Sequence, residues 1–409
     1  MADSVINITQ VTIGAAAGGS HIKINISGDL TLNTQSRDNL ANTLVVSNSD
    51  AQFSLSQGVL TIGGHINLTD GSANNFKHAQ FQPEALFSMD LHNNADSATL
   101  ILQNANALTS QSGNVGNKFD FYNVVQAGGV GVATVNYNGS TNQEVYNYVS
   151  GSTVDNIIDN NGASPGDGSV YENIEFGGTG TKTVDAAATS GSLHVGHAVT
   201  LDAGSEIVDL SAINCALQAG ADLTTNTGST LKCGTGYVVI GGSFYNYGTT
   251  NFGTASVTFN SAGGKQMATT NSCYLPNVIF TGGGTETISG KNFFLKGQGI
   301  LQINSNTKLV ANGFLTLMSD STGSATVAAI PAGCSITGNV NVQRYVTKHR
   351  AYRLASSPVY SSTLGSYNIY SIKYLSRAIY TTGTTGTGGG FDKSGNPTMY
   401  LYRENLAPN

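Results

Sequence analysis

Residues 171–184 read YENIEFGGTGTKTV, and residues 275–288 read LPNVIFTGGGTETI. Laid together without gaps, Asn173 falls on Asn277, Ile174 on Val278, Phe176 on Phe280 and Gly178 on Gly282. Gly180 then meets Gly284, Thr181 meets Thr285, Thr183 meets Thr287 and Val184 meets Ile288, at an offset of 104 residues. A weaker copy, FYNVV (121–125), puts Asn123 another 50 residues upstream of Asn173, so the offsets of 50 and 104 are near one and two multiples of about 52, as expected if a few coils recur as a block. Each copy is a short alternating run, a glycine-rich corner and a second alternating run, and its recurrence is the mark of a repeat architecture.

The same grammar runs through the chain. Alternation with period two occurs in HIKINISGDLTL (21–32), GVLTIGGHINL (58–68), SATLILQN (97–104), ASVTFN (255–260) and GFLTLMS (313–319). Further runs are SLHVGHAVTL (192–201), STLKCG (229–234), GYVVIGG (236–242) and GILQINSNTKLV (299–310). Clusters of Gly, Asn, Asp and Ser separate them, which is strand–turn–strand punctuation without intervening helices. The best helical stretch, Pro83 to Leu86, is one turn at most. These features predict an all-β fold, a right-handed parallel β-solenoid followed by the start of a second β domain. Coils of roughly 20–25 residues cannot bury their own apolar edges, so they stack at about 4.8 Å and share a core. About fifteen such coils would make a rod on the order of 70 Å. Val257, Phe259, Val278, Phe280, Ile288, Leu315 and Leu317 are the expected inward layer, and Asn173 and Asn277 the expected corner residues whose amides bond turn backbone.

Composition agrees. Of 409 residues 51 are Gly, none is Trp, 10% are charged and 39% are hydrophobic. The low charge excludes a surface wetted by Lys and Glu, and the regular apolar alternation excludes a disordered chain. Residues 1–340 hold 10 Lys/Arg against 22 Asp/Glu, and 341–409 hold 8 against 2, for the net −6. This break suggests segments at 1–169 (N-terminal solenoid), 170–340 (repeat-bearing solenoid) and 341–409 (cap and truncated following β domain). The turn-rich DNNGASPGDG (159–168) reads as a long corner near the first boundary. The acidic, Lys-poor first part argues against nucleic acid, and no apolar stretch is long enough for a membrane helix. MADSVINITQV lacks the basic and apolar regions of a signal peptide. The chain reads as a monomeric part of a longer polypeptide.

At GGSFYNYGTTNFGTASVTFNSAGGKQM (241–267) the chain resembles the repetitive β-solenoid portions of large Bacteroidetes proteins exported by the type IX system, through Gly242, Phe244, Asn246, Gly248, Thr249, Val257, Thr258, Phe259, Asn260, Gly264 and Gln266. GNVNVQRYVTKHRAYRLASSPV (338–359) is similar to the family's segment where the solenoid ends, through Gly338, Val340, Val342, Arg344, Tyr345, Arg350, Ala351, Tyr352, Arg353, Pro358 and Val359. Gln343 stands where Glu is usual, and His349 replaces the first Arg of a pair. GTGGGFDKSGNPTMYLYREN (386–405) looks like the beginning of the domain that follows. The resemblance implies export, a secreted or cell-surface location, a sorting domain elsewhere in the polypeptide and an adhesive scaffold without an activity of its own.

The residues offer little chemistry. The acidic group Asp155, Asp159, Asp167, Glu172 and Glu175 lies around the turn-rich stretch, as a solvated corner or a calcium loop, although the alternating ligand spacing of such loops is missing. His194 and His197, three apart in one alternating run, point to opposite faces and share no metal. Cys215, Cys233, Cys273 and Cys334 lack zinc spacing and read as small buried hydrophobes, with a Cys215–Cys233 bridge between coils as the alternative. Arg344, Arg350 and Arg353 with Tyr345 and Tyr352 read as the solenoid cap, or else as a carbohydrate or anion patch. No catalytic, cofactor-binding or metal residue is expected. The function these features suggest is a non-catalytic extracellular stalk that contacts a glycan or surface protein. A glycan-active β-helix enzyme, with two carboxylates within about 10 Å, and a tailspike-like trimeric fibre are the alternatives.

Overall fold

In a computed structural model the chain divides into two compact units, Met1–Gln343 and Arg344–Asn409. The described residues are 132–145, 171–184 and 192–345 other than Ile213 and Asn292, with short segments before residue 132 and the strands Thr382–Gly383 and Lys393–Ser394. Asn123, Asp155, Asp159, Asp167, Arg350, Tyr352, Arg353 and the 159–168 and 386–392 stretches lie outside them, as does most of the expected following domain.

The first unit is a parallel β-solenoid. From Asn173 onward the chain lays down three short strands per coil, each joining a different sheet, and every strand pairs in parallel with its counterpart in the next coil. The broadest sheet has twelve strands, the second nine and the third seven. One inward column of the twelve-strand sheet runs Ile174, Val199, Leu223, Phe244, Met267 and Ile288, register partners in succession. A second column, in the seven-strand sheet, runs Leu193, Leu217, Val238, Val257, Val278 and Leu301. Alternation makes this work: in Ser256–Phe259 and Asn277–Phe280 every second residue is buried and the others lean outward. All seven residues expected inward are buried. Phe259 and Phe280 stack with centroids 5.0 Å apart at 13°, an offset parallel contact between adjacent coils.

Three expectations need correction. The coil length holds only for the C-terminal part. Before Ile174 the same sheet steps through Ile24, Leu60, Leu100 and Val135, 35 to 40 residues per coil. Among the described residues the broadest sheet has twelve levels, against the roughly fifteen coils expected, and spans on the order of 50 Å at the usual strand spacing. Next, Ala85–Ser88 is a strand, not a helical turn.

The third correction concerns the repeat. Asn173–Phe176 lies in the twelve-strand sheet, but Asn277–Phe280 lies in the seven-strand sheet. The copies are fourteen strands apart, which is four coils and two further strands. The motif therefore specifies a strand–corner–strand unit, used at whichever corner the chain has reached. Its local chemistry is the same at both. Asn173 Oδ1 accepts the Ala198 N–H at 3.0 Å, and Asn277 Oδ1 accepts the Ile300 N–H at 3.0 Å, each tying its corner to the next coil. Gly178 and Gly282 both have positive φ (73° and 121°), and a Cβ on either would lie 2.3 or 2.4 Å from a carbonyl oxygen of the preceding coil. Only glycine fits there, for conformation and for space.

Phe259→Ala should lower stability by about 3–5 kcal/mol, since it opens a cavity within the stack. Tyr237→Ala, on an exposed ring, should change it by less than about 0.5 kcal/mol. Denaturant midpoints of the two variants check this, and equal shifts would contradict a column-like core.

Candidate functional site

The outer face of the nine-strand sheet carries a file of register partners: Asp209, Lys232, Asn251, Tyr274 and Phe294. The alternation that buries Leu231, Cys273 and Phe293 turns these side chains outward. Lys232 and Asp209 pair at 3.8 Å, an exposed contact worth little by itself. Tyr274 stacks on Phe294 with centroids 5.1 Å apart at 19°, and Tyr274 is 45% exposed. Beside this pair a shallow groove of about 310 Å³ runs between Gly248–Asn251 and Asn271–Tyr274 and reaches Lys296. Asn271 fixes one wall by donating its amide to Gly248 O at 3.0 Å, and the Lys296 ammonium donates to Gly253 O at 3.1 Å. No carboxylate lines the groove. It offers an aromatic face, hydroxyls, two side-chain amides and one cation, groups that can meet a polyhydroxylated ligand.

Inside, the corner between the twelve- and nine-strand sheets is polar. Thr225 and Thr250 hydroxyls donate to Asn246 Oδ1 at 2.7 and 3.0 Å, and the Asn246 amide donates to Thr269 Oγ1 at 3.3 Å. All four residues are buried. One end of this spine holds Gln143, Lys182 and Glu206, at 2%, 0% and 0% exposure. The Lys182 ammonium donates to Gln143 Oε1 at 2.6 Å, Gly139 O at 3.0 Å and Thr179 O at 3.1 Å. Burial pulls its pKa down to about 8, against the opposing pull of the Glu206 charge. Burial raises the Glu206 carboxyl, and neither of its oxygens has a hydrogen-bond partner on another residue. Glu286 is a second buried acid, raised chiefly by burial, whose Oε1 accepts from the Ser261 hydroxyl while Oε2 has no partner.

The residues singled out by sequence fall apart in space. Glu172 is buried, not solvated: its Oε2 accepts the Ala133 N–H at 2.8 Å, which belongs to the preceding coil. Glu175 accepts from the Asn136 amide at 2.9 Å on the outside of the twelve-strand sheet. Burial followed by the Asp202 charge raises its pKa. His194 lies in a strand, but His197 follows it on the exposed corner, so the two do not share one run. Cys215 and Cys233 are buried thiols and no disulfide joins them. Cys273 is buried as well, and Cys334 is partly exposed. Arg344 is described as an exposed residue, and Tyr345 is 50% exposed. Among the described residues, no three His, Cys, Asp or Glu side chains gather to hold a metal ion.

Lys182 and Glu286 carry a signal in the sequence. They occupy the same place in the two motif copies, TKTV and TETI, two residues before an inward Val184 or Ile288. Parity alone sends both charges to the inside. Tyr274 and the groove have no such marker, because their neighbours come from coils about 23 residues away. No family model, no curated protein and no solved structure matches the chain.

A carboxyl whose pKa is raised on folding binds its proton more tightly in the folded state. Its contribution is complete below the unfolded value and declines as pH rises through the folded one. Stability should therefore fall as pH rises above about 4.5, and Glu286→Gln should flatten part of that fall while keeping the Ser261 contact. Denaturation midpoints between pH 4 and 8 test it; an unchanged slope in the variant counts against Glu286.

Proposed function

We propose that this chain is a non-catalytic structural and adhesive stalk of a secreted or cell-surface bacterial protein, and that its outer groove contacts glycan. The observation that carries the reading is the groove itself. An exposed Tyr274 ring backed by Phe294 lies beside Asn251 and Lys296 on a rigid sheet face, with no carboxylate among the lining residues. Sugars present apolar C–H faces to aromatic rings and hydroxyls to amides and cations, and a pre-formed face binds them with little ordering cost. A stack in which each coil touches only its neighbours also suits a spacer, because length is gained by adding coils. The likeness of 241–267 and 338–359 to exported Bacteroidetes solenoids supports placing this stalk outside the cell, reached by type IX export.

One observation favours a second reading, a glycan-active enzyme: Glu175, held by the Asn136 amide, has its proton affinity raised by burial and then by the Asp202 charge. Paired carboxyls are what glycoside hydrolysis requires.

A glycan array probed with the whole chain should give binding that Tyr274→Ala reduces at least tenfold, the loss expected for an aromatic platform worth about 1.4 kcal/mol or more. Hydrolysis of any bound glycan, abolished by Glu175→Gln, would replace the stalk by the enzyme. Binding that ignores Tyr274 would remove the groove from the account.

A further inference from the structure

We propose that Lys182 and Gln143 join covalently, Nζ to Cδ, in an isopeptide bond that staples two adjacent coils. The two residues are register partners on neighbouring strands of the nine-strand sheet, both facing inward. Lys182 Nζ lies 2.6 Å from Gln143 Oε1. With a carbonyl bond of about 1.23 Å, that places Nζ no more than about 3.8 Å from the carboxamide carbon, close to attack distance. The electrophile is held and polarised. Oε1 accepts the Gly139 N–H at 2.7 Å, as an oxyanion donor would be placed, and Nε2 is fixed to Leu102 O and Asn104 O at 3.0 and 2.8 Å. A Cβ on Gly139 would lie 2.6 Å from Gln143 Cδ, so glycine makes room for the carboxamide. Glu206 is wholly buried and hydrogen-bonds neither Lys182 nor any other residue, so its carboxyl must turn toward Nζ before it can take a proton. Water is excluded, so hydrolysis does not compete.

The atoms balance without an oxidant. The Lys182 ammonium gives one proton to the Glu206 carboxylate, and the free amine attacks Cδ. A second Nζ proton passes to Nε2, the Cδ–Nε2 bond breaks, and ammonia leaves with the proton held by Glu206. One C–N bond forms and one breaks, and Glu206 returns to its starting state. A lysine pKa of about 8 leaves the ammonium in the majority at neutral pH but raises the free-amine share well above that of an exposed lysine. The staple sits where it has an effect. Gln143–Val145 is the first strand of the nine-strand sheet, at the passage from wide coils to narrow ones, and its Glu144 N–H also bonds Ala105 O of the preceding coil at 3.0 Å. A covalent tie there adds to the hydrogen bonds that join three successive coils.

The full 409-residue chain, purified folded and then denatured, should be about 17 Da lighter than its sequence mass, the mass of ammonia. Intact mass alone does not decide, because Asn138-Gly139 can lose the same mass as a succinimide. Cleavage after glutamate cuts at Glu144 and Glu175 and leaves Gln143 and Lys182 on different peptides, so a linked pair of peptides is the expected product. Lys182→Met should give none. Glu206→Gln, folded by circular dichroism, should leave most of the chain unlinked. A folded wild-type chain that yields only separate peptides overturns the proposal, leaving a buried lysine with three acceptors. A fully linked Glu206→Gln removes Glu206 from the chemistry.

Discussion

Everything in this solenoid depends on the requirement that successive coils lie one strand spacing apart in parallel register. At that distance, about 4.8 Å, each backbone amide must find its partner in the next coil, and each inward side chain must fit between the ones before and after it. The column from Ile174 to Ile288 meets the requirement with branched and aromatic residues. The corners meet it with glycines whose missing side chains leave room for the carbonyls of the previous coil, as at Gly178 and Gly282. An Asp or Asn side chain also reaches across to a backbone N–H of the next coil, as Asp222 does to Ser243 beside Gly242. The stack is thus held by contacts some 21 to 25 residues apart in sequence.

Much of this can be read in the chain before any coordinates. Alternation in stretches such as ASVTFN and GFLTLMS marks strands because burial of every second residue leaves that imprint directly. The inward layer follows from parity. The phase of the coils does not follow, because the NIEFGG and NVIFTG copies encode a corner and carry no mark of which corner it is. Coil width before Ile174 is equally hidden, since an excursion of any length can return to the same register. The groove is hidden for a related reason. Asn251, Tyr274 and Phe294 are neighbours only because intervening corners have equal reach.

The buried polar corner shows how the constraint treats charge. Inward positions must be filled, and polar groups fill them at Lys182 in this corner and at Glu286 in the corner between the seven- and twelve-strand sheets. Lys182 Nζ faces Gly139 and Gln143 of the preceding coil and Thr179 of its own, and one oxygen of Glu286 accepts a serine hydroxyl. The Thr225–Asn246–Thr250–Thr269 network continues the polar line with neutral groups, each buried and each bonded. An apolar spine would fit the same positions by size. A polar one constrains register, because a slip of one residue would separate every donor from its acceptor.

The out-of-phase motif has a consequence for how such a molecule changes over generations. When the heritable unit is one strand and its bend, gaining or losing a single unit swivels all later surfaces by about a third of a revolution while leaving the pile intact. A binding face can then be re-aimed around the axis by a short insertion, with no new interior to invent.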